Sequence, residues 1–198
     1  VQIDLVVGEE WTDRMQAGPF IFNVLPQFAI WVEDEAGNLV DTVYVSGADF
    51  AKVRNASKND DGELFYREGL PLWASRVEAA DFPLPSKENP YPDGVTSATP
   101  MANAHIDTRV VGADLGPSAG GPGLLVLRAE FNKSGDENDT FTKENNDWAG
   151  QPSLIYSAPI AQAQRGQAFT LDLVGHGGRI GQEPAVYSDL SGFDTALK

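Results

Sequence analysis

Apolar and polar side chains alternate most regularly in two segments on either side of a short turn. Residues 27–33 (QFAIWVE) place Phe28, Ile30 and Val32 on one face of an extended strand, and residues 39–46 (LVDTVYVS) form the second segment. The five residues between them, DEAGN, contain the Asp, Gly and Asn that are typical of tight turns. The pattern predicts an antiparallel β-hairpin.

The same alternation predicts several further strands, whereas helical patterns are few. The additional strands are predicted at residues 2–7, 20–24, 104–111, 124–131, 153–160 and 169–174. Residues 71–80 (PLWASRVEAA) are the best helix, because Pro71 suits the first helical position and Trp73 and Val77 share a face. Residues 48–54 and 188–198 are predicted to form a short helix and a closing helix or turn.

These elements predict an all-β protein with a minor helical part. About eight short strands, 20 Gly and 13 Pro in 198 residues favour an antiparallel β-sandwich, immunoglobulin-like, with one or two short helices and long loops. A β-barrel is the alternative architecture. No Ser/Gly or Pro linker separates two complete core patterns, so residues 1–198 are predicted to form one domain.

Charge and composition restrict the partners that this chain is expected to have. Asp and Glu number 29 against 14 Lys and Arg, giving a net charge of -15, which disfavours nucleic acids and anionic membrane surfaces. No apolar run of 18 residues is present, so the protein is predicted not to span a membrane. The absence of Cys favours a bacterial source, and the start at Val1 predicts that a signal or lipoprotein leader has been removed.

Four segments of the sequence resemble a known bacterial family. They are AIWVEDEAGNLVDTVYVSG (29–47), TKEN (142–145), GQPSLIYSAPI (150–160) and YSDLSGFDTALK (187–198). The family is that of predicted periplasmic proteins catalogued as domain of unknown function family 2271. The resemblance implies a periplasmic or lipoprotein location and the company of membrane redox proteins and flavin-carrying domains. It implies no established activity. Together with the strand pattern, the acidity and the absence of Cys, it leads us to expect a non-enzymatic binding or accessory protein near membrane redox proteins.

Residues 93–99 (DGVTSAT) suggest an alternative function as a covalent FMN carrier or flavin-linked electron-transfer accessory. They are similar to the D-x-x-[ST]-G-A-[ST] signature of proteins that receive FMN from a flavin transferase. In this resemblance Thr99 supplies the hydroxyl that forms the phosphoester, and Asp93 is the acid of the motif. Ser97 stands where the signature has Gly, and Pro100 stiffens the acceptor. The competing interpretation is a Pro-rich surface turn.

The segment between the predicted strands 124–131 and 153–160 is long, polar and acidic. Loops of this length are usually functional or disordered. Asp136, Asn138, Asp139 and Asp147 offer oxygen ligands that suit calcium, although the EF-hand spacing is absent. The alternative is a solvated acidic loop. The family resemblance in TKEN and GQPSL implies that the loop is ordered, with Trp148 and Phe141 packed against the rest of the protein.

Aromatic residues raise a third possibility, a carbohydrate-binding module. Trp31, on the face opposite Phe28, and Trp148, in the acidic loop, are the candidate ligand-binding residues, with core packing as the alternative. His105 and His176 are the only histidines, and their pattern is not that of a zinc site. No nucleophile elbow is present either, so no catalytic residue is predicted.

Overall fold

The computed structural model describes residues 2–17, 19–46, 69–84, 95–97, 102–107, 124–133, 136–146, 150–160, 168 and 170–193. Its strands are β1 (Gln2–Leu5), β2 (Asp13–Ala17), β3 (Phe20–Val24), β4 (Gln27–Glu33), β5 (Leu39–Ser46), β6 (Val95–Ser97), β7 (Ala104–Asp107), β8 (Leu125–Asn132), β9 (Leu154–Ile160) and β10 (Asp172–His176). Its helices are α1 (Pro71–Ala79), α2 (Lys143–Asn146) and a 3-10 turn at Glu9–Trp11. The predicted helix at 48–54 lies outside the described residues.

A six-stranded sheet in the order β10-β9-β8-β4-β5-β6 forms the centre of the molecule. Its first five strands are antiparallel to their neighbours, and β6 adds to β5 in parallel. Two further antiparallel pairs, β1–β7 and β2–β3, stand apart from this sheet. The predictions of a mostly β protein with few helices and of a hairpin at β4–β5 are therefore confirmed.

Both faces of the central sheet are covered by apolar side chains. On one face, Trp31 of β4 belongs to a core that includes residues of α1, and we call this the α1 face. The opposite face, called the Trp11 face, holds Phe28, Ile30 and Val32, as the alternation predicted. A sheet buried on both sides must carry apolar residues in both alternating sets, and β4 is buried along its whole length.

Helix α1 begins and packs as its sequence predicts. Pro71 is its first residue, which suits a position whose backbone N–H would have no partner within the helix. Leu72, Trp73 and Val77 are completely buried against the sheet. The indole nitrogen of Trp73 donates a hydrogen bond of 3.1 Å to Thr42 Oγ1 of β5, which fixes the helix on the α1 face.

Several predictions of detail differ from the structure. The described strands do not confirm an immunoglobulin-like sandwich, because a helix rather than a second sheet packs on the α1 face. Strand β2 was not predicted, since DRMQA lacks an alternating apolar pattern, and β10 begins three residues later than expected. Among the described residues, no helix is both long enough and apolar enough to cross a membrane.

Candidate functional site

In residues 136–146 and 150–153, the described part of the acidic loop between β8 and β9, backbone pairing closes the base of the loop. Asp136 and Gly150 form a parallel bridge, and the backbone N–H of Gln151 donates to the Asp136 carbonyl at 2.9 Å. The side-chain amide of Gln151 donates to Asp136 Oδ2 at 2.7 Å. Gly150 adopts φ +62, and a Cβ there would overlap the Asp136 backbone, so a glycine is required at this crossing.

Asn138 organises the turn at the centre of this loop. Its Oδ1 accepts hydrogen bonds from the backbone N–H groups of Thr140 and Phe141, both at 2.8 Å, in the manner of an Asx turn. Its Nδ2 donates to the carbonyl of Gly192 at 2.9 Å. Phe141 is buried with 3% exposure and packs on Phe193, with ring centroids 4.7 Å apart. The predicted role of Phe141 in ordering the loop is confirmed.

Asn146, at the end of α2, joins the acidic loop to the glycine-rich segment 175–181. Its side chain is buried, its Nδ2 donates to the Gly150 carbonyl at 2.6 Å, and its Oδ1 accepts from the Ile180 N–H at 2.9 Å. The guanidinium of Arg179 lies 4.9 Å from the centroid of the Phe141 ring, a cation–π distance. The loop is thus held by two neighbouring segments.

Five of the side chains that this scaffold exposes are acidic. We define the acidic surface as the exposed carboxylates of the loop and of the segment beside it: Glu137, Asp139, Glu144, Glu183 and Asp189. A hydrogen bond from the Thr142 side chain lowers the pKa of Glu144, and one from Ser191 lowers that of Asp189. Lys143 lies 3.8 Å from Glu137, but at 70% exposure such a pair is weak. These carboxylates present negative charge on a fixed backbone.

The four predicted calcium ligands have different environments. The carboxylate of Asp136 accepts the Gln151 amide, the oxygen of Asn138 already accepts two N–H groups, and Asp139 is exposed. Asp147 lies outside the described residues, as does Trp148. In the described ranges no three His, Asp or Glu side chains are grouped as a metal ion would need. A calcium site here stays a prediction.

His176 is held beside the acidic surface by ring packing. Its ring stacks on that of Tyr187, with centroids 5.1 Å apart and an interplanar angle of 19°. Its Nδ1 accepts a hydrogen bond of 3.1 Å from the Gly178 N–H, which identifies Nε2 as the protonated nitrogen of the neutral ring. Burial, aided by the charge of Arg179, lowers the pKa of His176. The side chain of His105 lies outside what the structure describes.

A buried ion network occupies the α1 face near the end of β4. The carboxylate of Glu33, 1% exposed, accepts Nε–H bonds from Arg76 at 3.0 Å and from Arg128 at 2.6 Å. It also accepts the indole N–H of Trp31 at 2.9 Å. Trp31 has 0% exposure, so the prediction that it binds a ligand is corrected: the indole is a core residue beneath α1.

A second buried carboxyl group, that of Glu130, lies at the first turn of α1. Its oxygens accept the backbone N–H groups of Leu72 and Trp73 and the hydroxyl of Ser153. These N–H groups have no acceptor within the helix, so Glu130 caps α1 from a neighbouring strand. Glu130 lies on the face of β8 opposite Leu127, and its position beneath α1 is not evident from the strand's own sequence.

The flavin-acceptor motif is only partly described. Val95–Ser97, its central residues, form β6, the last strand of the sheet among the described residues, in which Ser97 pairs with Ser46 of β5. The parallel pairing of these three residues with β5 was not predicted from the sequence, which suggested a Pro-rich surface turn as the alternative to the flavin motif. Asp93 and Thr99 lie outside the described residues.

Comparisons with known proteins do not identify a relative. The chain finds no match among protein-family models, curated proteins or solved structures. The functional argument therefore depends on this chain's own geometry.

Proposed function

We propose that this protein is a non-enzymatic, extracytoplasmic binding or accessory protein of a bacterium. It engages a basic surface of a membrane or periplasmic redox protein through the acidic surface. The observation that carries the proposal is the rigid support of this surface, in which Asn138 and Asn146 bind backbone groups on both sides of the loop. A loop ordered before binding loses less conformational entropy when the partner binds.

The two buried carboxyl groups are structural and are not candidates for acid–base catalysis. Glu33 is 1% and Glu130 0% exposed, and both accept several hydrogen bonds from groups of the fold itself. A general acid or base must come within hydrogen-bonding reach of a substrate. Both groups are instead engaged in attaching α1 to the sheet.

Charge favours a cationic partner. With a net charge of -15, the protein attracts basic surfaces at long range, and the fixed carboxylates then add local complementarity. Such association weakens as ionic strength rises, because exposed charges are screened within about 8 Å at physiological salt. Retention that decreases with salt is therefore expected.

A matched pair of double variants tests this proposal. Asp139→Asn with Glu144→Gln neutralises two carboxylates of the acidic surface, and Glu35→Gln with Glu78→Gln removes the same charge from other exposed sites. Each immobilised protein is exposed to the detergent-solubilised membrane fraction of its native host. We expect the wild type and the second variant to retain the same redox protein and the first to lose it. Equal retention by both variants, or substrate turnover in hydrolase and redox screens, contradicts the proposal.

Covalent attachment of FMN is the second candidate function. The observation that favours it is the pairing of Ser97 with Ser46, which brings the chain to a sheet edge two residues before Thr99. A hydroxyl near an edge strand suits modification by a second enzyme, because an edge strand has a neighbour on one side only. Co-expression with a flavin transferase and intact-mass measurement test it: a mass raised by one FMN, lost in Thr99→Ala but kept in Thr12→Ala, which lies outside the motif, supports it. An unmodified mass excludes it.

We also propose that the protein is a β-sandwich, in which a second sheet covers the Trp11 face. Leu5 and Val7 pack on the Trp11 face, which supports the β1–β7 pair as part of a second layer. An experimental structure of the whole chain tests this, and a Trp11 face without a second sheet contradicts it.

A further inference from the structure

Glu130 lies where three segments meet the central sheet. Its Oε2 accepts the Trp73 N–H at 2.8 Å, and its Oε1 accepts the Ser153 hydroxyl at 2.6 Å and the Leu72 N–H at 3.2 Å. These partners belong to α1 and to the chain entering β9. The third segment is that of Gly177, whose N–H donates to the Ser153 carbonyl at 2.9 Å.

The backbone of Gly177 lies so close to the Glu130 carboxyl group that no water molecule fits between them. A Cβ built on Gly177 would overlap both Ser153 Oγ and Glu130 Oε1 and would touch the ring of Pro71. The backbone of the glycine-rich segment therefore closes directly over the carboxyl oxygen. Solvent reaches this group only if the segment or the start of α1 moves away.

In the described part of the chain, no cation lies within ion-pair distance of this carboxyl group, and Arg76 attracts it only from a longer distance. The two cations on this face, Arg76 and Arg128, both bind Glu33. An ionised carboxylate that is buried without a cation is strongly disfavoured relative to the neutral acid. The neutral acid keeps this hydrogen bond, because the O–H of a protonated Oε1 can donate to Ser153 Oγ in place of the reverse donation.

We propose that Glu130 is a proton-controlled junction: the neutral acid holds α1, the start of β9 and the Gly177 segment on the sheet, and ionisation loosens them. When these segments loosen, water reaches the carboxylate and hydrates its charge, which is not possible while the group is buried. The protonation state of Glu130, and therefore the pH, determines how tightly α1 and the Gly177 segment pack on the sheet.

The direction in which burial shifts the pKa of Glu130 agrees with this proposal. Burial raises the pKa of Glu130 to about 7 from its ordinary 4.5, against the hydrogen bonds from Ser153, Trp73 and Leu72 and the charge of Arg76. Folding thus takes up a proton between these pH values, so the free energy of unfolding falls as the pH rises from 4.5 to 7.

Other charged groups on the packed elements must be separated from this effect. They are Arg76 and Glu78 of α1, Glu33 of β4, Arg128 of β8, and His176 and Arg179 of the segment that contains Gly177. Ser153, the residue that enters β9, does not titrate. His176 acts in the opposite direction, because its lowered pKa removes stability as the pH falls. A comparison at constant His176 therefore isolates Glu130.

The test compares the wild type with Glu130→Gln, an isosteric mimic of the neutral acid, by urea unfolding at pH 5 and pH 8. Relative to the variant, the wild-type unfolding constant should rise about 70-fold from pH 5 to pH 8. This follows from a Glu130 pKa of 4.5 in the unfolded chain and about 7 in the folded protein. Hydrogen exchange at the Leu72 and Trp73 amides, corrected for intrinsic rates, should lose protection with pH in the wild type only. A ratio independent of pH overturns the proposal.

A second measurement needs no variant. Carbon-13 NMR of glutamate-labelled wild type follows the Glu130 carboxyl carbon directly, with Glu35, an exposed residue, as an internal reference. A midpoint near neutral pH for the buried carboxyl supports the junction. A midpoint close to that of Glu35 overturns it, even if Glu130→Gln does not fold.

Discussion

Trp31 donates its indole N–H to the carboxylate of Glu33, two residues further along β4, at 2.9 Å. Residues two apart in a strand share a face, so both side chains lie under α1. The same carboxylate binds Arg76 of α1 and Arg128 of β8, and so joins a helix and two strands. A charge buried in this way is tolerated because it is paired and fully hydrogen-bonded.

Replacing Glu33 by Gln should destabilise the protein more than removing either cation. Glu33→Gln leaves two guanidinium groups without a counter-charge, and breaking a buried pair in this way costs about 3 kcal/mol of unfolding free energy. Arg76→Ala should cost about 1 kcal/mol, since Arg76 is 31% exposed and Glu33 keeps Arg128. Urea unfolding measures both, and equal losses would show that the network is not the anchor of α1.

Gly177→Ala should destabilise the protein although only one methyl group is added. The new Cβ meets Ser153 Oγ and Glu130 Oε1, atoms that are fixed by their own hydrogen bond. Overpacking of this kind costs about 1–3 kcal/mol. Gly8→Ala is the matched control, because nothing lies within 4 Å of a Cβ at Gly8. Thermal unfolding of both variants distinguishes the tight site from the open one, and similar melting temperatures would contradict the close approach.

Much of the sheet can be predicted from the sequence, because a strand depends on the alternation of apolar and polar residues within a few positions. The alternation around Phe28 predicts β4 and its faces, and Pro71 predicts the start of α1. The carboxyl sites do not follow, because their partners are distant in sequence: Glu33 binds a side chain 95 residues away, and Glu130 binds a backbone N–H 57 residues away. Strand β2 is likewise determined by its pairing with β3 rather than by its own pattern.

Asn138→Ala should loosen the acidic loop. The variant loses two hydrogen bonds to the loop backbone and one to Gly192, with an expected cost of about 1–3 kcal/mol, because part-buried N–H groups lose their acceptor. Asp139→Ala, at an exposed neighbour, should change stability by less than about 0.5 kcal/mol. Urea unfolding tests both variants, and equal effects would contradict the role of Asn138.

The same two variants examine the predicted calcium site. Melting temperatures are compared in calcium and in EDTA, because an ion that binds the folded state raises the transition. If Asp136, Asn138, Asp139 and Asp147 bind calcium, the wild type shows this rise and Asp139→Ala reduces it. If calcium leaves the wild-type melting temperature unchanged, the calcium prediction is wrong and the loop is a hydrogen-bonded structure alone.

Replacing His176 should remove a loss of stability in acid. Because burial lowers the pKa of His176 below its ordinary 6.5, the unfolded chain takes up this proton first, and the folded state loses stability as the pH falls below 6.5. His176→Phe keeps a ring to stack on Tyr187, and His176→Gln keeps an acceptor for the Gly178 N–H. Neither side chain titrates, so both variants should gain stability relative to the wild type between pH 7 and pH 5. Unfolding free energies of the wild type and both variants are measured at these two pH values. If the difference between each variant and the wild type is the same at pH 7 and pH 5, the lowered pKa of His176 is contradicted.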